Sequence, residues 1–143
     1  MITLHETRTI KRPLGEVFEF VAEFSTVAEW DPGVDASARI TDGELGLGTR
    51  FAVTADFNGR LVPLEYEMID YATNELAVLE VKSPRFDAVD TIRFKAVDDT
   101  TTQVDYTAEF TLKGFMRLLE PFLGGTFDKL GRKALDGLVE RLG

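Results

Sequence analysis

The sequence predicts an α+β protein in which a β-rich chain is closed by one long amphipathic helix. Between Ile2 and Leu112, apolar and polar residues alternate with a period of two in several segments, which is typical of half-buried strands. From Gly114 to Gly143, apolar residues instead recur three or four positions apart, as on one face of a helix. The length of 143 residues suits one domain, so we expect a single domain over residues 1–143.

The N-terminal part of the chain is predicted to form a strand followed by two short helices. Residues 2–10 alternate in polarity, and the segment after Pro13 has apolar residues at helical spacing. Thr26 and Glu29 have the spacing of a capping box, in which two side chains cap the first turn of a helix. A second short helical turn is therefore expected there, ending at the turn residues Asp31-Pro32-Gly33.

Six further strands are predicted, over residues 34–41, 51–57, 62–68, 77–82, 86–96 and 103–112. In the first of these, the alternation predicts that one face carries Val34, Ala36, Ala38 and Ile40. Asn58-Gly59 is the strongest hairpin signal, because a type I′ turn needs positive φ at both central residues. The period of two gives each strand one inner, apolar face.

The C-terminal helix contains two unfavourable features for a helix interior, Pro121 and the pair Gly124-Gly125. Proline removes a backbone donor, and glycine weakens a helix by roughly 1 kcal/mol relative to alanine. We therefore expect a kink or break between Glu120 and Thr126.

Composition excludes several classes of function. The chain has no cysteine, which rules out disulfides and thiolate chemistry, and the single histidine, His5, removes most histidine-based metal sites and triads. A net charge of −9 opposes binding to nucleic acid or to an anionic membrane, because both would add like-charge repulsion. With no long apolar run and no leader-like start, we expect a cytoplasmic protein.

The glycine-rich segment from Gly43 to Gly48 resembles a phosphate-binding loop in composition but lacks the flanking elements of such a loop. A dinucleotide-binding loop follows a strand and opens a helix, whereas here a strand comes next. We interpret it as a turn and expect neither a cofactor nor a metal ion.

The order of these elements, together with several local motifs, resembles the polyketide cyclase/dehydrase family of the START-like superfamily. The motifs are Ile10-Lys-Arg-Pro13, the segment Glu16-Val-Phe-Glu-Phe-Val21, Trp30-Asp-Pro32, Gly46-Leu-Gly-Thr-Arg-Phe51 and the terminal helix. The resemblance spans nearly the whole chain. It implies a helix-grip fold: a curved, seven-stranded antiparallel sheet, two short helices after the first strand, and a long C-terminal helix packed across the sheet. It also implies a lipophilic pocket between sheet and helix.

The inner faces of the strands and the terminal helix supply the candidate ligand-binding residues. Large aromatic residues are often ordinary core, but small inward alanines leave space, and ligand pockets are typically apolar and aromatic. The candidates are Trp30, Phe51, Phe57, Tyr66, Phe86, Asp90, Phe94, Tyr106, Phe110, Phe115, Phe122 and Phe127. A kink at Pro121 and Gly124-Gly125 would form a gate into this pocket.

Asp90 is the one carboxylate predicted on an inner face, together with the hydroxyls of Tyr66 and Tyr106. Burial would raise the pKa of Asp90 and make it a candidate acid or base. The alternatives are a bond from Asp90 to Arg85, to a tyrosine hydroxyl or to solvent at the rim, or a bulge that turns it outward.

Three functions follow from this pattern. The first is binding of a small hydrophobic or aromatic ligand between the sheet and the helix. The second is a cofactor-independent cyclase or dehydratase in which Asp90 moves protons and Tyr66 or Tyr106 holds an oxygen. The third is a protein-interaction accessory module. The sequence does not decide between them, nor between a monomer and a homodimer.

Overall fold

The computed structural model describes residues 1–143. Seven strands and three α-helices form, with one 3₁₀ helix between α1 and β2. Their bounds are β1 Ile2–Ile10, α1 Leu14–Ala22, 3₁₀ helix Phe24–Glu29, β2 Val34–Arg39, β3 Arg50–Phe57, β4 Arg60–Ala72, β5 Leu76–Lys82, β6 Phe86–Asp98, β7 Thr101–Leu112, α2 Phe115–Leu118 and α3 Glu120–Leu142.

The strands form one antiparallel sheet in the order β1-β7-β6-β5-β4-β3-β2. Every neighbouring pair except β1 and β7 is consecutive in sequence, so the sheet is a meander whose first strand returns to pair with the last. The sheet curls around α3, which packs against β1, while the 3₁₀ helix packs against β2. The helix-grip fold predicted from the sequence is confirmed.

Alternation of polarity places the expected residues inward on most strands. In β6 and β7, the buried residues occur at every second position, including Ala88, Asp90, Tyr106 and Ala108. The hairpin at Asn58-Gly59 also forms, with positive φ at both residues and Phe57 paired with Arg60. Because side chains alternate between the two faces of a strand, knowing the orientation of one residue gives the orientation of the others in that strand.

Strand β2 corrects one prediction. The register with β3 shifts between Val34 and Ala36, and the bulge leaves Ala36, Ala38 and Ile40 exposed rather than inward. Ser37 points inward instead, where its hydroxyl donates to the Ser25 carbonyl oxygen at 2.7 Å. The contact with the 3₁₀ helix therefore determines which side chains of β2 point inward. The alternation of polarity alone had predicted the opposite face.

The second short helix differs from its prediction in how it begins. It starts after Glu23 with no side-chain cap, so Thr26 and Glu29 do not form a capping box. The Thr26 hydroxyl instead donates to the carbonyl oxygen of Phe20, at 2.7 Å. The hydroxyl thereby links the 3₁₀ helix to α1.

The kink predicted between Glu120 and Thr126 of the C-terminal helix is not found. The interruption falls at Leu119, before the expected segment, and α3 then continues through Gly124 and Gly125 to Leu142. Pro121 causes no break because it lies in the first turn, where its missing N–H has no intrahelical acceptor to lose.

Two glycines allow α3 to lie close to the rest of the molecule. A Cβ atom on Gly131 would stand 2.8 Å from a methyl group of Leu4, and one on Gly137 would stand 2.0 Å from the carbonyl oxygen of Trp30. At Gly137 the obstacle is backbone, so glycine is required for the approach to the end of the 3₁₀ helix, whereas at Gly131 the end of the Leu4 side chain would have to shift. No helix of the protein combines the length and the apolar character needed to span a bilayer.

The buried apolar residues divide into two clusters. The larger lies beneath α1, the 3₁₀ helix and the C-terminal half of α3, and includes Phe18, Phe51 and Leu138. The smaller lies at the other end of the sheet and includes Phe86 and Leu112. The space between these clusters is not filled.

Candidate ligand-binding cavity

A cavity of about 110 Å³ lies between the sheet and α3, with walls from both apolar clusters. Most of its lining is hydrophobic. Strands β3, β4, β6 and β7 supply the floor, and α3 supplies the cover through Phe127, Leu130, Gly131, Ala134 and Leu135. Small residues at Ala55, Ala108 and Ala134 leave the volume open, because larger side chains there would occupy it.

The structure brings most of the predicted binding residues together around this cavity. Each of them lies on an inward strand position, on the segment after the 3₁₀ helix, or on the face of α3 turned to the sheet. Those that line the cavity are Trp30, Phe57, Tyr66, Phe86, Asp90, Tyr106, Phe110 and Phe127.

Four predicted residues do not line this cavity. Phe51 and Phe94 are inward but belong to the filled core, where Phe51 packs against Phe24 and Phe94 against Phe18. Phe115 and Phe122 are 73% and 80% exposed, because they point away from the sheet, whereas the neighbouring Met116 and Leu123 pack against the smaller cluster. An inward or helical position is therefore not sufficient to predict a lining residue.

Asp90 and Tyr106 form a buried pair on the floor of the cavity. Asp90 is 5% exposed, and the Tyr106 hydroxyl donates a hydrogen bond to its Oδ2 atom. Burial raises the pKa of Asp90 to about 7, and the charge of Asp31 adds to this, while the bond from Tyr106 acts in the opposite direction. The inward placement of Asp90 and its tyrosine partner both agree with possibilities drawn from the sequence.

Asp31 is a second carboxyl group at the cavity, and sequence reasoning missed it. It lies in the turn with Pro32 and Gly33, where its Oδ1 atom accepts the Gly33 N–H at 2.8 Å. Burial raises the pKa of Asp31 to about 6, partly offset by that bond. An aspartate before Pro-Gly is a common turn signal, and nothing local indicated that α3 would cover it.

Trp30 contributes a buried polar group that lacks a hydrogen-bond partner. The side chain is 4% exposed, and its Nε1 atom is buried without a hydrogen-bond acceptor. The indole ring stands edge-on to Tyr106, with ring centroids 6.4 Å apart. A buried donor without a partner is unfavourable in a protein, so this atom is suited to an acceptor supplied by a ligand or by water.

Tyr66 completes the polar wall of the cavity, the name used below for Trp30, Asp31, Tyr66, Asp90 and Tyr106. Burial raises the pKa of Tyr66, and the charges of Asp90 and Asp31 raise it further. The lining contains no lysine, arginine or histidine, so no basic side chain of the wall compensates the carboxyl groups of Asp31 and Asp90. The third carboxyl group of the lining, that of Asp56, accepts the Gly59 N–H at 2.7 Å. The wall can thus donate hydrogen bonds from Trp30 and Tyr66 and can exchange protons at the two acids.

A second, outer cavity of about 250 Å³ adjoins the first. It shares Phe57, Phe86, Phe127 and Leu130 with the inner cavity and extends toward Met116 and Leu123. The shared aromatic residues contact one another in a chain: Phe86 is 6.5 Å from Phe57 and 6.0 Å from Phe110, and Phe110 stacks on Phe127 at 4.8 Å, between ring centroids. This aromatic chain separates the two spaces.

Similarity to known protein families helps to interpret this cavity. The sequence matches, over residues 1–143, the family described as polyketide cyclase / dehydrase and lipid transport. The chain belongs to this family. No protein with a curated description matches the sequence of this family member.

Solved structures share the fold of this polyketide cyclase/dehydrase family member at low sequence identity. A protein from Thermus thermophilus is 18% identical with a TM-score of 0.81, covering 98% of this chain and 96% of its own. A START superfamily protein from Mycobacterium smegmatis is 15% identical with a TM-score of 0.73, covering 98% and 93%. The Zhui aromatase/cyclase from a Streptomyces species is 13% identical with a TM-score of 0.76, covering 98% and 90%. These similarities establish the helix-grip fold.

Proposed function

We propose that this polyketide cyclase/dehydrase family member binds a small hydrophobic or aromatic ligand with one polar end between the sheet and α3. The observation that carries the proposal is a largely apolar cavity whose lining includes a few polar residues, among them Asp90, Tyr66 and Trp30, whose buried Nε1 atom has no hydrogen-bond partner. Apolar walls with a small number of placed polar groups are typical of small-molecule sites. The family description and the START-like neighbours support the same class of function.

The volume of the cavity limits the size of the ligands that can bind. A cavity of about 150 Å³ in another protein holds a benzene molecule, so the inner cavity of about 110 Å³ suits one small ring. A larger ligand would extend past the side chain of Phe127 into the outer cavity of about 250 Å³. The ligand class is therefore one polar-edged ring with an apolar extension.

The polar wall determines the kind of polar end. Trp30 Nε1 and the Tyr66 hydroxyl are donors, whereas the carboxyl groups of Asp31 and Asp90 accept hydrogen bonds when ionised and donate when protonated. A hydroxyl or carbonyl oxygen fits this combination. A carboxylate fits poorly, because the lining already contains Asp31, Asp56 and Asp90 and no basic side chain.

Filling the cavity tests this proposal. Ala108 is 3% exposed and lines the inner cavity, so Ala108→Leu should remove the space that the ligand needs. Ala38→Leu adds the same side chain on the exposed face of β2 and serves as the matched control. Isothermal titration with a panel of phenols, naphthols and alkyl-substituted aromatic ketones should show binding to the wild type and to Ala38→Leu, and none to Ala108→Leu. Equal binding by both variants would refute the site, and thermal unfolding checks that each is folded.

The Asp90–Tyr106 pair favours a second candidate, a cofactor-independent cyclase or dehydratase. A carboxyl group with a pKa of about 7 can both accept and return a proton near neutral pH. Asp90 would take a proton from a carbon next to a carbonyl group, and Tyr66 or Trp30 would hydrogen-bond the enolate oxygen. Because Tyr106 already donates to Asp90, its role would be to orient that carboxyl group.

Asp90→Asn separates binding from chemistry. The amide keeps the shape of the carboxyl group but cannot accept the proton. If the protein is an enzyme, a linear poly-β-ketone should still bind the variant, while its cyclisation or dehydration, followed by absorbance, should fall to the uncatalysed rate. Unchanged turnover would remove Asp90 from the mechanism.

A further inference from the structure

One end of the molecule exposes large apolar side chains that no part of the protein covers. Phe115, Leu118 and Phe122 are 73%, 70% and 80% exposed, and they lie on α2 and on the first turn of α3. We call these three residues the apical patch. Single exposed apolar residues are common, but three large ones within eight residues of sequence are not explained by the folded core.

Three arginines that make no ion pair share this end of the molecule: Arg60, Arg85 and Arg117. Arg60 and Arg85 line one surface recess together with Phe115 and Met116, and Arg117 lies within α2 itself. Two of the acidic residues nearby are paired, since Asp87 pairs with Lys113 at 2.8 Å and Glu120 pairs with the N-terminal amine at 2.9 Å. A third, Asp56, lies in the same hairpin as Arg60 and accepts the Gly59 N–H. The local excess of positive charge is opposite in sign to the net charge of −9.

The outer cavity also reaches this end. Its lining includes Arg60, Arg85 and Met116, which also line the arginine recess, and Leu123 of the first turns of α3. The apical patch, the three arginines and the outer end of the candidate binding cavity therefore occupy one face. An apolar ligand that entered here would arrive beside exposed aromatic and aliphatic side chains.

From this juxtaposition we propose that the α2 end of the protein docks on an anionic lipid bilayer. The apical patch would insert at the boundary between headgroups and acyl chains, and Arg60, Arg85 and Arg117 would contact lipid phosphates. The acidic remainder of the surface would be repelled by the same bilayer, which orients the molecule with α2 toward the lipid. The net charge alone predicts no membrane binding, but it averages over a surface whose charges are segregated.

A sedimentation assay with lipid vesicles tests this docking. The wild-type chain should sediment with vesicles of equal parts phosphatidylcholine and phosphatidylglycerol, bind phosphatidylcholine vesicles weakly, and lose binding as salt is added. The double variants Phe115→Ser/Phe122→Ser and Arg60→Glu/Arg85→Glu should each reduce partitioning by about tenfold or more. All four positions are exposed, so thermal unfolding should be unchanged.

Matched substitutions away from this end control for the loss of any apolar or basic residue. Leu47 is 70% exposed in the β2–β3 loop, and Arg93 is exposed on β6 toward the opposite end of the sheet. Leu47→Ser and Arg93→Glu should bind vesicles like the wild type. The proposal is overturned if the wild type does not bind anionic vesicles, or if the patch and control variants lose binding equally.

Two further readouts separate membrane docking from self-association and from ligand binding. Light scattering that shows a dimer dissociated by Phe115→Ser/Phe122→Ser, without any vesicle binding, would assign the patch to a second copy of the chain and overturn the proposal. Ala108→Leu, which fills the inner cavity, should still bind vesicles, because docking does not depend on a ligand. Failure of the proposed ligand binding would therefore leave the docking result intact.

Discussion

The two halves of α3 cover the same sheet with different results. From Gly131 onward, the residues facing the sheet are buried, with Leu135 at 1%, Leu138 at 0% and Leu142 at 6% exposure. Between Glu120 and Leu130, no residue of the helix is buried, and the inner cavity lies beneath the middle of the helix, from Phe127 to Leu135. Apart from Asp90 and the hydroxyls of Tyr66 and Tyr106, the inward strand residues are apolar under both halves, so the difference in packing arises from the covering layer.

The C-terminal half of α3 is supported by neighbours that the N-terminal half lacks. Gly137 allows the helix to approach the Trp30 backbone, and the 3₁₀ helix and α1 complete the layer over that part of the sheet. The N-terminal half lies over the sheet alone, with its exposed side turned to solvent. A single helix cannot fill the concave side of a curved sheet, and the unfilled part is the candidate binding cavity.

Truncating a leucine should affect the two halves of the helix very differently. Leu138→Ala should lower the free energy of unfolding by about 2–5 kcal/mol, because it opens a hole in a filled core. Leu130→Ala, at a half-buried position beside the existing cavity, should cost about 1 kcal/mol. Urea unfolding of both variants measures the difference, and equal losses would show that the two halves pack alike.

Replacing a glycine by alanine should also change the stability of the protein in opposite directions in the two halves of α3. Gly137→Ala should destabilise the protein by about 1–3 kcal/mol, because the new methyl group would stand 2.0 Å from a backbone oxygen and the helix would have to shift. Gly124→Ala meets no atom within 4 Å and should stabilise by about 0.5–1 kcal/mol through helix propensity. A stabilising Gly137→Ala would contradict the close approach at Trp30.

The polar wall should make stability depend on pH. The folded-state pKa of Asp90 is about 7, above its unfolded value near 3.8, so the folded protein holds the proton more tightly. Its contribution is full below pH 4 and is lost as the pH rises through about 7, with a slope on the order of 1 kcal/mol per pH unit.

Asp90→Asn should flatten this decline when urea unfolding is measured from pH 4 to 8. Asp87 on the same strand serves as a control, because its bond with Lys113 lowers its pKa and its contribution is lost instead as the pH falls. Asp87→Asn should therefore leave the decline between pH 5 and 8 in place. A decline that persists in Asp90→Asn would assign the effect to another group, with Asp31 the next to test because its pKa is about 6.

Much of the fold follows from local signals in the sequence. Period-two alternation placed the inward residues of β3, β4, β6 and β7, including Asp90, because the pleat of a strand depends only on near neighbours. Where a distant contact intervenes, the local signal fails. The bond between Ser37 and Ser25 accompanies the bulge that reverses β2, and Pro121 proved to start a helix rather than to break one.

The candidate site was less predictable, because lining a cavity depends on what lies opposite. Phe51 and Phe57 both point inward from β3, yet Phe51 lies under the 3₁₀ helix and is packed, whereas Phe57 faces open space. Asp31 became part of the site only through the approach of α3. Phe115 and Phe122 have helical spacing but are exposed, because the neighbouring Met116 and Leu123 occupy the positions that pack against the sheet.

The fluorescence of Trp30 reports directly on whether a ligand occupies the inner cavity. It is the single tryptophan, and it lines the cavity with an unpartnered Nε1 atom. Titration with a ligand found by calorimetry should shift or quench its emission saturably, with the same dissociation constant as the heat signal, and Ala108→Leu should abolish both. Saturable heat with unchanged tryptophan emission in the wild type would place the ligand elsewhere and contradict binding between the sheet and α3.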